Sequence, residues 1–163
     1  MTVKPMVVSL REPAREHRDR VREIVADTGV FSAEEIEIAL EVFDGATEEP
    51  GVDYAAIGAF EEDYLVGFAC YGPTPCTRGT WDLYWIAVDP ASHRHGIGHK
   101  LAEACERMIV KNGGRLVVAE TSSRADYRPT RAFYEAQGYQ AAARVAEFYA
   151  PQDDLIVYTK RLS

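Results

Sequence analysis

Long hydrophobic runs are absent from this sequence, and their absence excludes several classes of protein. No stretch approaches the roughly 18 consecutive apolar residues that a membrane-spanning helix needs. The amino-terminal segment contains only the short run MVVSL, at residues 6–10, before it becomes charged. That run is too short for the apolar region of a signal peptide. We therefore predict a cytoplasmic protein that does not bind a membrane.

Paired-cysteine motifs are also absent. The three cysteines, Cys70, Cys76 and Cys105, cannot all pair within one chain, and no CxxC spacing occurs. This excludes the common zinc and thiol-redox motifs and predicts reduced thiols in or near the core. A ping-pong mechanism through one of these thiols would need a neighbouring base, which the sequence does not indicate.

Positive charge is in deficit. Eighteen lysines and arginines face 26 aspartates and glutamates, which gives a formal net charge of −8. A nucleic-acid platform normally presents a basic surface, so we predict no nucleic-acid partner. The acidic balance leaves open a small anionic cofactor, because backbone amides can bind one locally.

Strand and helix patterns follow one another along the whole chain and predict a single domain over residues 1–163. A first strand at 7–11 precedes two helices, at 14–29 and 31–45, and a hairpin follows at 53–72. A strongly β-prone strand at 80–88 ends at an Asp-Pro pair. The full predicted order is β-α-α-β-β-β-α-β-α-β-β, an α/β protein with a mixed sheet.

The second predicted helix carries clear end signals. Ser32 with Glu35 three residues later forms a capping box at its start. Gly45 follows the apolar face of the helix. Glycine is frequent just beyond a helix, so we predict that the helix ends there.

Two glycines one residue apart, Gly96 and Gly98, open a further predicted helix in the segment SHRHGIGHKL. A strand precedes them, so the chain turns tightly where it lacks side chains. The first amides of a helix have no intrahelical partner and lie at the positive end of its dipole. This arrangement suits an anion, above all a phosphate. The dinucleotide fingerprint GxGxxG and the P-loop pattern are both absent.

Two motifs in this order resemble the GNAT superfamily of N-acetyltransferases. The segment HRHGIG, residues 93–98, matches the family pattern [QR]xxGx[GA], with His93 at the position of the usual glutamine or arginine. The segment TRAFYEAQGY, residues 130–139, matches the pattern FYxxxGF, with Tyr139 for the final phenylalanine. The resemblance covers nearly the whole chain. It implies the GNAT-like acyl-CoA N-acyltransferase fold and transfer of an acetyl group from acetyl-CoA directly to an amine.

The resemblance implies a cofactor site on the strand and loop before the helix. The main chain of Ile86 and Val88 would pair with the pantetheine arm of acetyl-CoA. The backbone amides of the loop would hold the pyrophosphate; these residues are Arg94, His95, Gly96, Ile97, Gly98 and His99. A backbone donor near the thioester carbonyl would stabilise the charge that develops on its oxygen.

The resemblance also implies two catalytic side chains. Tyr134 corresponds to the general acid of the family, which would protonate the leaving thiolate. Asp82 falls where several members carry a basic glutamate, and it shares a strand face with Ile86 and Val88. It would accept the amine proton directly or through water. Glu120, at the end of the next strand, is a second candidate for the base.

Several alternatives stay open or are set aside at this stage. Three histidines, at positions 93, 95 and 99, invite a metal site, but HGIGH lacks the glutamate of the zinc hydrolase motif, so we predict no metal. A non-catalytic acyl-CoA sensor and transfer of a longer acyl group remain alternatives. The predicted acceptor is a small-molecule or peptide amine of unidentified structure. A homodimer is left open.

Overall fold

The structure, a computed structural model, describes residues 6–93 and 95–162. Its helices are α1 (Arg18–Asp27), α2 (Ala33–Glu48), α3 (Ile97–Lys111) and α4 (Arg128–Ala136). Its strands are β1 (Val8–Arg11), β2 (Ala55–Glu61), β3 (Tyr64–Pro73), β4 (Thr80–Val88), β5 (Leu116–Ser122), β6 (Gln140–Ala150) and β7 (Asp153–Arg161). This confirms the predicted order. Within the described ranges, no helix is long and apolar enough to cross a bilayer.

The seven strands form one mixed sheet in the order β1-β2-β3-β4-β5-β7-β6. Strands β4 and β5 are parallel, whereas β5 with β7 and β6 with β7 are antiparallel. The chain separates into two compact units. The first comprises Met1–Gly72 with Trp85–Cys105, and the second comprises Pro73–Tyr84 with Glu106–Ser163. The single domain predicted over residues 1–163 stays a prediction.

The first unit has an apolar core in which α1 and α2 pack with β2 and β3. Helix α1 buries one face, as its spacing predicts, and α2 contributes a similar stripe. Apolar side chains are removed from water here, which stabilises the unit by about 25 cal/mol per Å² of apolar surface. The largest fully buried members of this core are Ile24, Leu40, Phe43, Phe60, Leu65 and Phe68.

Helix α2 begins as predicted but ends later. The Glu35 amide donates to Ser32 Oγ at 3.2 Å, and the Ser32 amide donates to Glu35 Oε2 at 2.7 Å, which confirms the capping box. The prediction that Gly45 ends the helix was wrong, because α2 continues to Glu48. A Cβ at Gly45 would lie 2.8 Å from Tyr54 Cδ2. The glycine is therefore a packing position for the Tyr54 ring.

In the second unit, β5 lies between β4 and β7. It pairs with β7 from Leu116 to Ser122, along its whole length. Its pairs with β4 run from Thr80 with Leu116 to Asp82 with Val118, although β4 itself continues to Val88. The register with β5 thus covers the first part of β4, from Thr80 to Asp82.

Candidate active site

The turn from β4 into α3 is built around Asp89. Its backbone amide donates to the Val66 carbonyl oxygen at 2.8 Å, and its Oδ1 accepts from the Ala91 amide at 3.0 Å. Pro90 follows and opens the short 3-10 turn Pro90–Ser92. Because proline has a fixed φ and Asp89 supplies the cap, this sequence turns immediately after the strand.

Gly96 shapes the turn that leads into α3. Gly96 has a φ of +68°, and no heavy atom of the described residues, chain neighbours apart, lies within 4 Å of the place its Cβ would take. The Lys100 amide donates to the Gly96 carbonyl oxygen at 3.1 Å. The amides of Ile97 and Gly98 precede that bond and so have no carbonyl one helical turn earlier in α3.

The side chains around these amides divide into buried and exposed ones. Ile97 is 2% exposed and anchors the first turn in the core, whereas His95 and His99 are exposed. Arg94, which the sequence places in the same loop, lies outside the described residues. The loop therefore combines a buried apolar anchor at Ile97 with an uncrowded, left-handed backbone at Gly96.

The three histidines of this segment have separate surroundings. His93 Nε2 lies 3.1 Å from the Val88 carbonyl oxygen, and His99 Nε2 lies 3.2 Å from Glu103 Oε1. His95 is exposed. Across residues 6–93 and 95–162, no group of three or more histidines, cysteines and carboxylates is placed to hold a metal ion.

The end of β4 presents alternate backbone groups to its two sides. The Asp89 amide bonds to β3, and the Ala87 carbonyl oxygen also faces β3, 3.1 Å from where a Cβ of Gly67 would lie. Backbone groups alternate in direction along a strand. The amides and carbonyls of Ile86 and Val88 therefore point to the side of β4 away from β3.

In the second unit, Tyr134 occupies a fixed position on α4. Its side chain is 5% exposed, and its ring stacks on that of Tyr158 with centroids 6.0 Å apart. The Tyr139 ring meets it edge-on at 5.2 Å. The Tyr158 hydroxyl donates to Glu135 Oε1 at 3.1 Å. Burial and this carboxylate raise the pKa of Tyr158, which keeps its proton and its contact at neutral pH.

Asp82, also in the second unit, is held by two hydroxyl groups. Thr74 Oγ1 donates to Asp82 Oδ2 at 2.6 Å, and the Tyr84 hydroxyl donates to the same oxygen at 3.3 Å. No residue within the described ranges donates to Oδ1. Glu120, the second predicted base, is exposed on β5. Asp82 thus has an oriented carboxylate with one oxygen available.

A family model for the acetyltransferase (GNAT) family matches residues 18–139. The chain belongs to the GNAT family of acetyltransferases. As members of this family use acetyl-CoA, the chain is an acetyl-CoA-dependent N-acetyltransferase. This confirms the family that the motifs at 93–98 and 130–139 indicated, together with the mixed α/β fold.

Solved structures agree with this family assignment. A protein assigned to the GNAT family from Desulfovibrio desulfuricans is 40% identical, with a TM-score of 0.92 over 96% of this chain and 100% of that one. PaiA N-acetyltransferase from Thermoplasma acidophilum, in complex with coenzyme A, has the same fold at 17% identity (TM-score 0.75, 96% and 100% covered). The ribosomal-protein-S18-alanine N-acetyltransferase from Escherichia coli also has this fold, at 21% identity and a TM-score of 0.76. The match covers 96% of this chain and 95% of that one. No curated protein matches the sequence.

Within this GNAT acetyltransferase, the cysteines have different surroundings. Cys70 and Cys105 are buried, as predicted, but Cys76 is exposed in a turn with a φ of +62°. Burial raises the pKa of the Cys70 thiol, which therefore stays protonated and unreactive at neutral pH.

The residues that hold the loop before α4 were not among the predicted site residues. An Arg131 terminal nitrogen donates to the carbonyl oxygens of Ser122, at 2.7 Å, and Arg124, at 2.9 Å. Ser122 Oγ also donates to the buried carboxylate of Asp153. These contacts fix the loop that leads into α4, the helix that carries Tyr134. Arg131 lies inside the motif TRAFY, which was the only available signal.

Proposed function

We propose that this enzyme transfers an acetyl group from acetyl-CoA directly to a primary amine, with both substrates bound together. The observation that carries the proposal is the turn into α3, where Gly96 is left-handed and has open space at the place of its Cβ, directly before the first amides of the helix. Such a loop fits a pyrophosphate, because the amides and the helix dipole favour negative charge without a charged side chain. The amides of residues 95–99 would hold it, with Arg94 as a further predicted contributor.

The main chain of Ile86 and Val88 would hold the pantetheine arm. Their amides and carbonyls point away from β3, and β4 extends beyond its last pair with β5. An amide-bearing arm can pair with such an edge as an added strand does. Acetyl-CoA supplies the activated thioester; the protein supplies its alignment.

Tyr134 is proposed as the proton donor at the departing sulfur. A thiol has a pKa of about 8.5 and a phenol of about 10, so transfer to the thiolate is not steeply driven. A hydroxyl held in place by stacked rings still helps, because it is oriented before the reaction begins. The contacts with Tyr139 and Tyr158 support this role.

Asp82 is proposed to accept the proton of the amine, directly or through water. Thr74 and Tyr84 both donate to Oδ2, which leaves Oδ1 for the acceptor. Because most free amines are protonated at neutral pH, a base is needed before attack. Glu120 and solvent are the alternatives.

Asp82→Asn tests this assignment while keeping an oxygen that Thr74 can bond. We expect turnover to fall about tenfold at neutral pH, since water can partly replace the base, and to recover as the pH approaches the pKa of the amine. The measurement is kcat against pH, with Glu120→Gln as the matched variant. Equal impairment at every pH would indicate positioning instead, and loss only in Glu120→Gln would move the role there.

The competing functions are a non-catalytic acyl-CoA sensor and transfer of a longer acyl group. One assay distinguishes all three: release of free thiol from acetyl-, butyryl- and octanoyl-CoA in the presence of a broad amine panel. Transfer of acetyl groups predicts fastest release from acetyl-CoA with at least one amine. Binding without thiol release from any donor would identify a sensor. The panel also identifies the acceptor, and the cytoplasmic location stays a prediction.

We also propose that the enzyme forms a homodimer through β6. All eleven residues of this edge strand are exposed, and the side chains of Val145, Phe148 and Tyr149 are 46%, 55% and 46% exposed. Arg144 donates to Asp154 of β7 and Glu147 Oε2 accepts from the Gln152 amide, so the proposed contact rests on the apolar side chains rather than on these charges. Several exposed apolar side chains on one strand are typical of an interface.

Phe148→Asp is expected to convert this dimer to a monomer, because it buries a charge in the apolar contact. Light scattering after size exclusion measures the mass, and circular dichroism confirms the fold. Val110→Asp, at a 50% exposed position of α3, is the matched control. A wild-type monomer at high concentration, or a dimer that survives Phe148→Asp, would contradict the proposed interface.

A further inference from the structure

Arg20 of α1 contacts both β3 and the turn after β4 in the first unit. Its Nε donates to the Leu65 carbonyl oxygen at 2.8 Å, near the start of β3, and its Nη2 donates to the Asp89 carboxylate just after β4. The guanidinium carbon lies 4.3 Å from the centre of the Tyr64 ring. The side chains of Arg20 and Asp89 are only 13% and 14% exposed. One guanidinium therefore joins α1 to β3 and to the turn after β4.

Asp89 connects Arg20 to the turn after β4. Its Oδ2 accepts from Arg20 Nη2, while its Oδ1 accepts from the Ala91 amide and so caps the turn. Its carbonyl oxygen accepts from the Ser92 amide at 2.8 Å, and Ser92 itself is buried. Burial opposes ionisation of Asp89, but the hydrogen bonds from Ala91 and Arg20 outweigh it and lower the pKa of this carboxyl. Asp89 is therefore ionised at neutral pH, where the loop that follows would bind its ligand.

Stability alone does not account for this pair. Removing two charges from water costs about as much as their attraction returns, so a poorly exposed ion pair is weak evidence of stabilisation. Helix α1 also has an exposed pair, Arg22 with Glu37, whose side chains are 44% and 56% exposed. Arg20 also fixes the orientation of the groups that it contacts. Its planar guanidinium satisfies three acceptors at fixed angles, the Leu65 carbonyl and the carboxylates of Glu23 and Asp89, which the single ammonium of a lysine does not reproduce.

We propose that Arg20 is a positioning residue for acetyl-CoA binding. Through Asp89 it fixes the turn that precedes residues 95–99, so the amides there stay directed at the phosphates before the ligand arrives. This inference rests on the proposed function, since it takes acetyl-CoA as the ligand of that loop. It assigns a role in cofactor binding to a side chain of α1, more than 70 residues earlier in the sequence.

The test compares Arg20→Lys with Arg22→Lys. Both keep the charge of α1, and only the first removes the guanidinium fork from Asp89. Calorimetry with acetyl-CoA should show about a tenfold weaker affinity for Arg20→Lys, as expected when a preformed site loses the contact that orients it. Arg22→Lys should bind like the wild type. At saturating acetyl-CoA and with an amine from the panel, kcat of both variants should stay within about twofold of wild type, because neither touches the reacting atoms.

Hydrogen exchange provides a readout that a general loss of stability would not imitate. Amides from 88 to 99 should exchange faster in Arg20→Lys, while those of β5 and β7 remain unchanged. Unchanged affinity, faster exchange throughout the chain, or a lower kcat with wild-type affinity would each overturn the positioning role. If the wild type itself does not bind acetyl-CoA, the proposed function fails first and this inference fails with it.

Discussion

Replacing Tyr134 by phenylalanine is expected to lower kcat by about 100-fold or more while leaving the affinity for acetyl-CoA nearly unchanged. The variant keeps the ring that stacks on Tyr158 and meets Tyr139, so α4 should retain its packing. Only the proton donor for the departing thiolate is removed. The measurements are steady-state kinetics with the best amine of the panel and calorimetry with acetyl-CoA.

Tyr149→Phe is the matched control, since it makes the same chemical change at a side chain that is 46% exposed on β6. It should have wild-type kcat. Tyr158→Phe separates acid catalysis from support, because it removes only the hydroxyl that donates to Glu135. A small decrease in kcat for Tyr158→Phe, together with a large decrease for Tyr134→Phe, would fit the proposal. Wild-type turnover in Tyr134→Phe would show that this tyrosine is a packing residue.

Gly96→Asp is expected to weaken acetyl-CoA binding by about 100-fold or more. Like charges brought together cost several kcal/mol, and each 1.4 kcal/mol is a factor of about ten in affinity. Gly96 has a φ of +68°, a conformation that aspartate and asparagine adopt more readily than most residues. Gly96→Asn therefore has almost the same shape and strain without the charge.

The comparison of these two variants isolates the phosphate site. Gly96→Asn should bind acetyl-CoA about tenfold more weakly than the wild type, through bulk and strain alone. The difference in affinity between Gly96→Asp and Gly96→Asn should decrease as salt screens the charge repulsion. Calorimetry at low and high ionic strength measures both effects. If aspartate and asparagine weaken binding equally at every ionic strength, no anion binds beside Gly96.

The order of elements and the loop at Gly96 could be predicted because each depends on local sequence. Periodicity of apolar residues indicates helix or strand directly. The capping box of Ser32 and Glu35 involves two residues of one turn and formed as predicted. Gly96 is left-handed, as a glycine in a tight turn before a helix suggests. Information of this kind is present within a few neighbouring positions.

Predictions failed where a distant side chain decides the outcome. Gly45 is a common stop signal, yet α2 continues to Glu48, and the Tyr54 ring packs against the place that a Cβ of Gly45 would take. Arg20 with Asp89 joins residues 69 positions apart, and Ser122 with Asp153 joins residues 31 apart. No periodicity or motif reports such pairs. They emerge only when the sheet brings separate segments together.

The end of β6 has a consequence for how copies of this protein associate. The register with β7 shifts between Val145 and Ala150, and Glu147 has a φ of +51° with its amide donating to Asp154 Oδ1 at 2.8 Å. A bulge of this kind bends an edge strand and interrupts its row of free backbone groups. An incoming strand would be interrupted at this point, so in the proposed homodimer we expect the two copies to meet through side chains rather than through strand pairing. A bulge of this kind also disfavours open-ended, fibre-like growth along the edge.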